Sequence, residues 1–150
     1  MKIKPVLTVI LLVFIAASVV TFLVKQKSPG SETALSQPEA NVVVYYFHGN
    51  KRCVTCKTIE AYAREAIENN FEKEIEQGKL VFKSVNLDIP GNEHYIQDYQ
   101  LTVKTVIVAR YINGKQVEWK DLDQVWKLVP DKPAYLEYVQ SGTRELLEHV

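Results

Sequence analysis

Both cysteines of this 150-residue chain lie in one stretch, Tyr45 to Glu60, reading YYFHGNKRCVTCKTIE, with two residues between them. Sulfurs at that spacing support three chemistries: a structural cross-link, part of a metal site, or a dithiol that opens and closes reversibly. As a cross-link the pair is poorly placed, because a bridge between residues three apart removes little freedom from the unfolded chain. A structural zinc takes four ligands, and Cys53 and Cys56 supply two. His48, five residues before Cys53, offers a third donor, so a soft ion of low coordination number on Cys53, Cys56 and His48 is the metal alternative. His94 and His149 are remote in sequence from this group. A reversible dithiol needs an exposed thiolate, a second thiol within reach, and a compartment where oxidation can occur.

The elements around the cysteines favour the third chemistry. Asn41 to Phe47, NVVVYYF, is a continuous β-branched and aromatic run that suits a strand buried on both faces. From Thr55 to Gln77 the apolar positions Ile59, Tyr62, Ala63, Ala66, Ile67, Phe71 and Ile75 recur at intervals of three and four, which predicts one amphipathic helix stopped by Gly78. Cys53 then falls at or just before the first helical turn, where unpaired backbone N–H groups and the helix dipole favour a thiolate. Lys51, Arg52 and Lys57 add positive charge nearby. Together these features predict a depressed thiol pKa for Cys53, with Cys56 one turn deeper and less exposed.

Further along, Leu80 to Asp88 reads as a strand, Glu93 to Tyr99 as a short helix, and Lys104 to Trp119 as two strands around the hairpin signal Asn113-Gly114. Pro133 opens a last helix carrying Tyr135, Leu136, Val139, Leu146, Leu147 and Val150. Strand, helix, strand, helix, hairpin, helix is an α/β order, in which a central mixed sheet has helices flanking it. Tyr45, Tyr46, Phe47, Trp119 and Trp126 read as core, and the charged residues from Glu65 to Glu76 as a solvated helix face.

Upstream, residues 6–24 carry no charge, proline or glycine, a length that just spans the roughly 30 Å hydrocarbon layer of a membrane. Lys2, Lys4, Lys25 and Lys27 flank the run, no pair of small residues suited to signal cleavage directly follows it, and no cysteine is available there for a lipid. Residues 1–24 are therefore expected to be an uncleaved, single-pass signal anchor in a bacterial cytoplasmic membrane. Residues 25–40, rich in Ser, Pro, Gly and Gln, read as a flexible linker, and residues 41–150 as one domain on the periplasmic or extracellular side. Such a compartment permits disulfide chemistry. The 18 basic and 18 acidic side chains leave no net field to recruit nucleic acid.

The strand leading to C-V-T-C-K at a helix start, the strand in GKLVFKSVNLD and the hairpin YINGKQV together resemble the thioredoxin fold over residues 41–150. The resemblance implies a three-layer sandwich, Cys53 as nucleophile, Cys56 as resolving thiol, no cofactor beyond the Cys53–Cys56 disulfide, and an exported or membrane-bound redox partner. The anchor plus YYFHGNKRCVTCKTIEAY further resembles small membrane-tethered proteins of the nitrophenyl compound nitroreductase subunit, ArsF family, which implies an accessory electron-transfer role. Three departures stand out. Where thioredoxins carry a cis-proline, this chain has Thr105-Val106, expected in trans because a cis bond without proline costs about 2.5–4 kcal/mol. Arg52 replaces a tryptophan, and Tyr46 or Phe47 falls where thioredoxins bury a carboxylate. The helix from Cys56 to Gly78 also reads longer than is usual for that fold.

Overall fold

The computed structural model of the chain describes residues 40–150. The expected anchor, and all of the expected linker except Ala40, lie outside the described residues. Among the described residues, no helix is long and apolar enough to cross a membrane. The elements follow in the order β1 (Val42–His48), α1 (Val54–Glu68), α2 (Glu72–Glu76), β2 (Leu80–Asn86), α3 (His94–Asp98), β3 (Val106–Ile112), β4 (Lys115–Asp121), α4 (Val125–Leu128) and α5 (Lys132–Glu148).

Alternation along β1 organises the domain. The sheet order is β2-β1-β3-β4, so β1 is interior, parallel to β2 and antiparallel to β3. A strand hydrogen-bonded on both sides and covered on both faces needs apolar side chains at every position, and Val42 to Phe47 are all buried. Val42, Val44 and Tyr46 pack against Ile59, Ala63, Ala66 and Ile67 of α1 and Tyr135, Val139 and Leu146 of α5. Val43, Tyr45 and Phe47 turn to the opposite face and meet Tyr99, Ile107, Ala109 and Tyr111, with Tyr95 of α3 and Trp119 of β4 against them. A mixed four-stranded sheet between helical layers is the architecture the α/β order predicts.

The hairpin joining β3 to β4 turns on Asn113 and Gly114, whose φ angles of 51° and 73° are the consecutive positive values of a two-residue turn matched to strand twist. Asp131 caps α5, its Oδ1 accepting from the Ala134 N–H at 3.1 Å, and Pro133 sits in the first turn. Gly142 lets α5 approach the segment after β4 closely, since a Cβ there would lie 2.7 Å from Leu122 Cδ2.

Four expectations are corrected. The helix predicted from Thr55 to Gln77 is two helices, α1 ending at Glu68 and α2 following after a turn. Asn69 and Asn70 supply the break, because their short polar side chains compete for backbone groups. Asn70 Nδ2 donates to the Ala66 carbonyl at 3.3 Å, and the Phe71 N–H bonds Ile67 as Phe71 enters the core. Gly78, at φ 68°, then ends α2 as the left-handed stop expected. The extra length attributed to the first helix disappears accordingly. The four-residue α4 has too few apolar repeats to have been legible. Trp126 on it is exposed rather than core, and Val150, beyond the end of α5, is exposed as well.

Candidate functional site

β1 delivers the chain to one end of the sheet, and the loop Gly49 to Arg52 carries it across to α1. Asp88, two residues past β2, holds that loop. Its Oδ2 accepts from the Asn50 N–H at 2.7 Å, while Asn86 Nδ2 donates to Asn50 Oδ1 at 2.8 Å. Gly49 lets the carboxylate lie close to the loop, since a Cβ there would come within 2.9 Å of the same Asp88 oxygen and push it aside. From the other side Lys104 Nζ donates to the Lys51 carbonyl at 3.0 Å, and Trp126 Nε1 donates to the Lys104 carbonyl at 2.7 Å. These contacts join residues far apart in sequence, and no short-range pattern announces them.

Cys53 is the N-cap residue of α1, in extended conformation with φ −73° and ψ 169°. Its sulfur takes the place that a serine or aspartate oxygen fills in ordinary caps and accepts from the Cys56 N–H at 3.1 Å. Cys53 is exposed and Cys56 is buried at 5 % relative exposure. The two form a disulfide, with Cα atoms 5.1 Å apart, inside the range such a bridge requires. No acidic residue occupies the first turn of α1, so nothing there opposes negative charge on sulfur.

The surrounding side chains divide by role. Lys51 and Lys57 are exposed and bring positive charge to the loop and first turn. Arg52 is half-buried and turns inward: it forms an ion pair with Glu60 of α1, and its guanidinium carbon lies 5.8 Å from the centre of the Tyr46 ring. Its charge is thereby largely matched within the domain. Tyr46, fully buried on the α1 face, donates its hydroxyl to the Cys56 carbonyl at 2.7 Å. Burial raises the Tyr46 pKa, with Arg52 pulling part of the way back, so the phenol is protonated at neutral pH. Of the two residues matched by sequence to the position of a buried carboxylate, Tyr46 is thus the one that reaches the cysteine helix. Phe47 points to the other face.

Thr105 and Val106 are buried and joined in trans, as no cis peptide bond occurs among the described residues. Their carbonyls serve the sheet: Thr105 accepts from Phe47 N–H at 3.0 Å and Val106 from Leu122 N–H at 2.9 Å. The Thr105 hydroxyl donates to Asp121 Oδ1 at 2.7 Å. Desolvation raises the Asp121 carboxyl above its ordinary value, against the lowering effect of that hydrogen bond. His48 stacks on Tyr46 and shares a hydrogen bond between Nδ1 and the Gly49 carbonyl at 3.0 Å. The geometry does not bring His48 together with both cysteines, and among the described residues no three His, Cys, Asp or Glu side chains are grouped to hold a metal. His94 and His149 lie elsewhere, bonded to the Gly91 carbonyl and to Glu118 respectively.

No protein-family model matches the chain, and no curated protein matches it. Among solved structures it is similar to a mutant thioredoxin from Halobacterium salinarum NRC-1, at 20 % identity over 71 % of this chain and 78 % of that one, with a TM-score of 0.39. It is also similar to Chlamydomonas reinhardtii thioredoxin f2, at 20 % identity over 63 % of this chain and 82 % of the other, with a TM-score of 0.38. The N-terminal domain of Synechococcus elongatus SasA aligns at 16 % identity over 73 % of this chain and 93 % of that domain, with a TM-score of 0.35. Scores of this size leave the fold to be judged on strand order, helix placement and the capped disulfide themselves. The narrower ArsF-family resemblance gains no support from these comparisons.

Proposed function

We propose that this chain is a thiol–disulfide oxidoreductase that works through Cys53 and Cys56, held at a bacterial cytoplasmic membrane by residues 6–24 with its α/β domain exported. One observation carries the reading: an exposed sulfur caps a helix, accepts a backbone N–H, and is bonded to a buried sulfur one turn below. Such a site distinguishes its two sulfurs, one open to a partner and one sheltered.

In the reducing direction the Cys53 thiolate attacks one sulfur of a partner disulfide. A Cys53–partner bond forms, the partner's own S–S bond breaks, and the departing thiolate takes a proton from water. Cys56 then gives up its proton and attacks Cys53 Sγ, closing the Cys53–Cys56 disulfide and releasing the partner's second thiol. The partner gains two electrons and two protons; both electrons come from the domain, one proton from the Cys56 thiol and the other from water. The oxidising direction is the same sequence reversed, and the relative reduction potentials of domain and partner set which runs. A role as the electron-passing subunit of a nitroreductase is a special case of this chemistry that differs in the partner. An exported or membrane-bound thiol protein is the partner class that the compartment supplies.

The test is the Cys56→Ser variant of the full chain, expressed in its own membrane. Mixed disulfides through Cys53 should accumulate, visible as adducts that dithiothreitol collapses. A variant that traps nothing, together with an unsubstituted protein that holds stoichiometric metal lost on alkylation, would falsify the proposal in favour of a metal-binding dithiol.

A further inference from the structure

The backbone of Cys56 is held on both sides of its Cα, through the two peptide units that flank it. Its N–H donates to Cys53 Sγ at 3.1 Å, and its carbonyl accepts the Tyr46 hydroxyl at 2.7 Å. That carbonyl lies within α1, where the N–H four residues on also reaches for it, so the phenol is an additional donor rather than the sole one. Its effect is therefore on position. Tyr46 is rigid, being fully buried in an interior strand and hydrogen-bonded between two neighbours, with Val106 directly across from it. Arg52, ion-paired to Glu60, lies over the ring.

We infer that Tyr46 is a positioning residue for the dithiol: by anchoring the Cys56 carbonyl to the sheet it keeps the Cys56 N–H aimed at the sulfur of Cys53. The inference rests on the oxidoreductase reading above. Its consequence lies in the difference between redox states. A hydrogen bond to a charged acceptor is about twice as strong as one to a neutral acceptor, so an N–H held on the Cys53 sulfur favours the thiolate of the reduced protein over the disulfide. Loosening it should make Cys53 harder to ionise and the disulfide harder to reduce.

Tyr135 supplies the control. Its hydroxyl donates to the Ile59 carbonyl of the same helix at 2.9 Å, one turn further on, and it is equally buried. Tyr135→Phe removes the same kind of bond from the same helix without touching either cysteine. In the full chain, Tyr46→Phe should shift the equilibrium with a glutathione buffer about tenfold toward the disulfide, close to 30 mV. It should also raise the midpoint of the pH profile for iodoacetamide alkylation of Cys53 by roughly half a unit or more. Tyr135→Phe should move neither. Equal shifts in both variants, or none in Tyr46→Phe, would overturn the positioning role while leaving the exchange activity intact. An unsubstituted protein that does not equilibrate with glutathione at all removes the oxidoreductase reading and this inference with it. Because a variant can fail to fold, the unsubstituted protein gives a second readout. The Tyr46 hydroxyl proton should exchange slowly with water and show an NMR contact to residue 56 in the reduced state, and a fast-exchanging proton there overturns the inference.

Discussion

The two faces of the sheet both bury tyrosines, yet they satisfy the hydroxyls in opposite ways. On the face covered by α1 and α5, Tyr46 and Tyr135 donate to carbonyls inside a helix, acceptors that the helix already supplies with a partner. On the other face the phenols serve one another: Tyr45 and Tyr99 each lie 3.0 Å from the Tyr111 hydroxyl, which donates onward to Gln116 Oε1 at 3.5 Å. That onward donation leaves the Tyr111 oxygen free to accept from both neighbours, so one proton arrangement satisfies the trio. Tyr45 and Tyr99 are held far above the usual phenol range, by burial first and then by Tyr111. Rings of Phe47, Tyr95 and Trp119 pack around them. The helix face therefore uses phenols as supplements to a complete backbone network, whereas the aromatic face depends on Tyr111 as the acceptor its neighbours share. Removing a hydroxyl from the first forfeits a gain; removing that of Tyr111 from the second takes the acceptor from two buried donors.

Tyr111→Phe tests the contrast most severely. It takes the shared acceptor from two buried hydroxyls, each costing about 1–3 kcal/mol when left unpaired, so a total loss of about 2–6 kcal/mol is expected in urea unfolding. Thiol exchange should be unaffected, because the trio is on the face away from α1. Tyr135→Phe should cost about 1 kcal/mol, since the Ile59 carbonyl keeps its helical partner. A loss in Tyr135→Phe as large as in Tyr111→Phe would erase the distinction between the faces. The smallest effect is expected for Asp121→Asn, which keeps an acceptor for Thr105 and removes the charge. The folded pKa of Asp121 is raised, so the folded state holds its proton longer than the unfolded chain does. Its contribution is favourable at low pH and is lost as pH rises from the ordinary aspartate value through the raised one. Asp121→Asn should flatten the pH dependence of Tm in that window and raise stability at neutral pH by less than about 0.5 kcal/mol, given how much of the residue meets solvent. A steeper slope in the variant would reverse the assignment.

Local pattern carried the architecture and the placement of both sulfurs, because strand burial, hairpin turn and helix start are each written within a few neighbouring residues. β1 reads as interior from its unbroken apolar run, and Asn113-Gly114 fixes the hairpin register. The pattern failed where two local signals competed, as at Asn69 and Asn70, whose break is hidden inside a three-and-four periodicity that continues to Ile75. It was also silent on the contacts that shape the site. Lys104 meets Lys51 across 53 positions, and Asn50 meets Asp88 across 38. The direction in which Arg52 points was not legible either, since its charge alone suggested a neighbour for Cys53 and its partner turned out to be Glu60. Which of Tyr46 and Phe47 faces the cysteine helix depends on the phase of the alternation, which only the packing of α1 against one side decides.

β1 has one more property. It begins at Val42, just after Ala40 is buried and Asn41 accepts from the Tyr111 N–H at 2.7 Å, and it ends at His48, on the side where the sulfurs sit. With a rise of about 3.3 Å per residue, the strand separates those ends by about 20 Å. Any pull arriving through the residues before 40 therefore runs along the middle strand of the sheet, with β2 and β3 gripping it from both sides. Such loading strains many ladder bonds together in shear instead of peeling them one at a time, so a pull on the start of β1 would be absorbed by the sheet before it reached the cysteines.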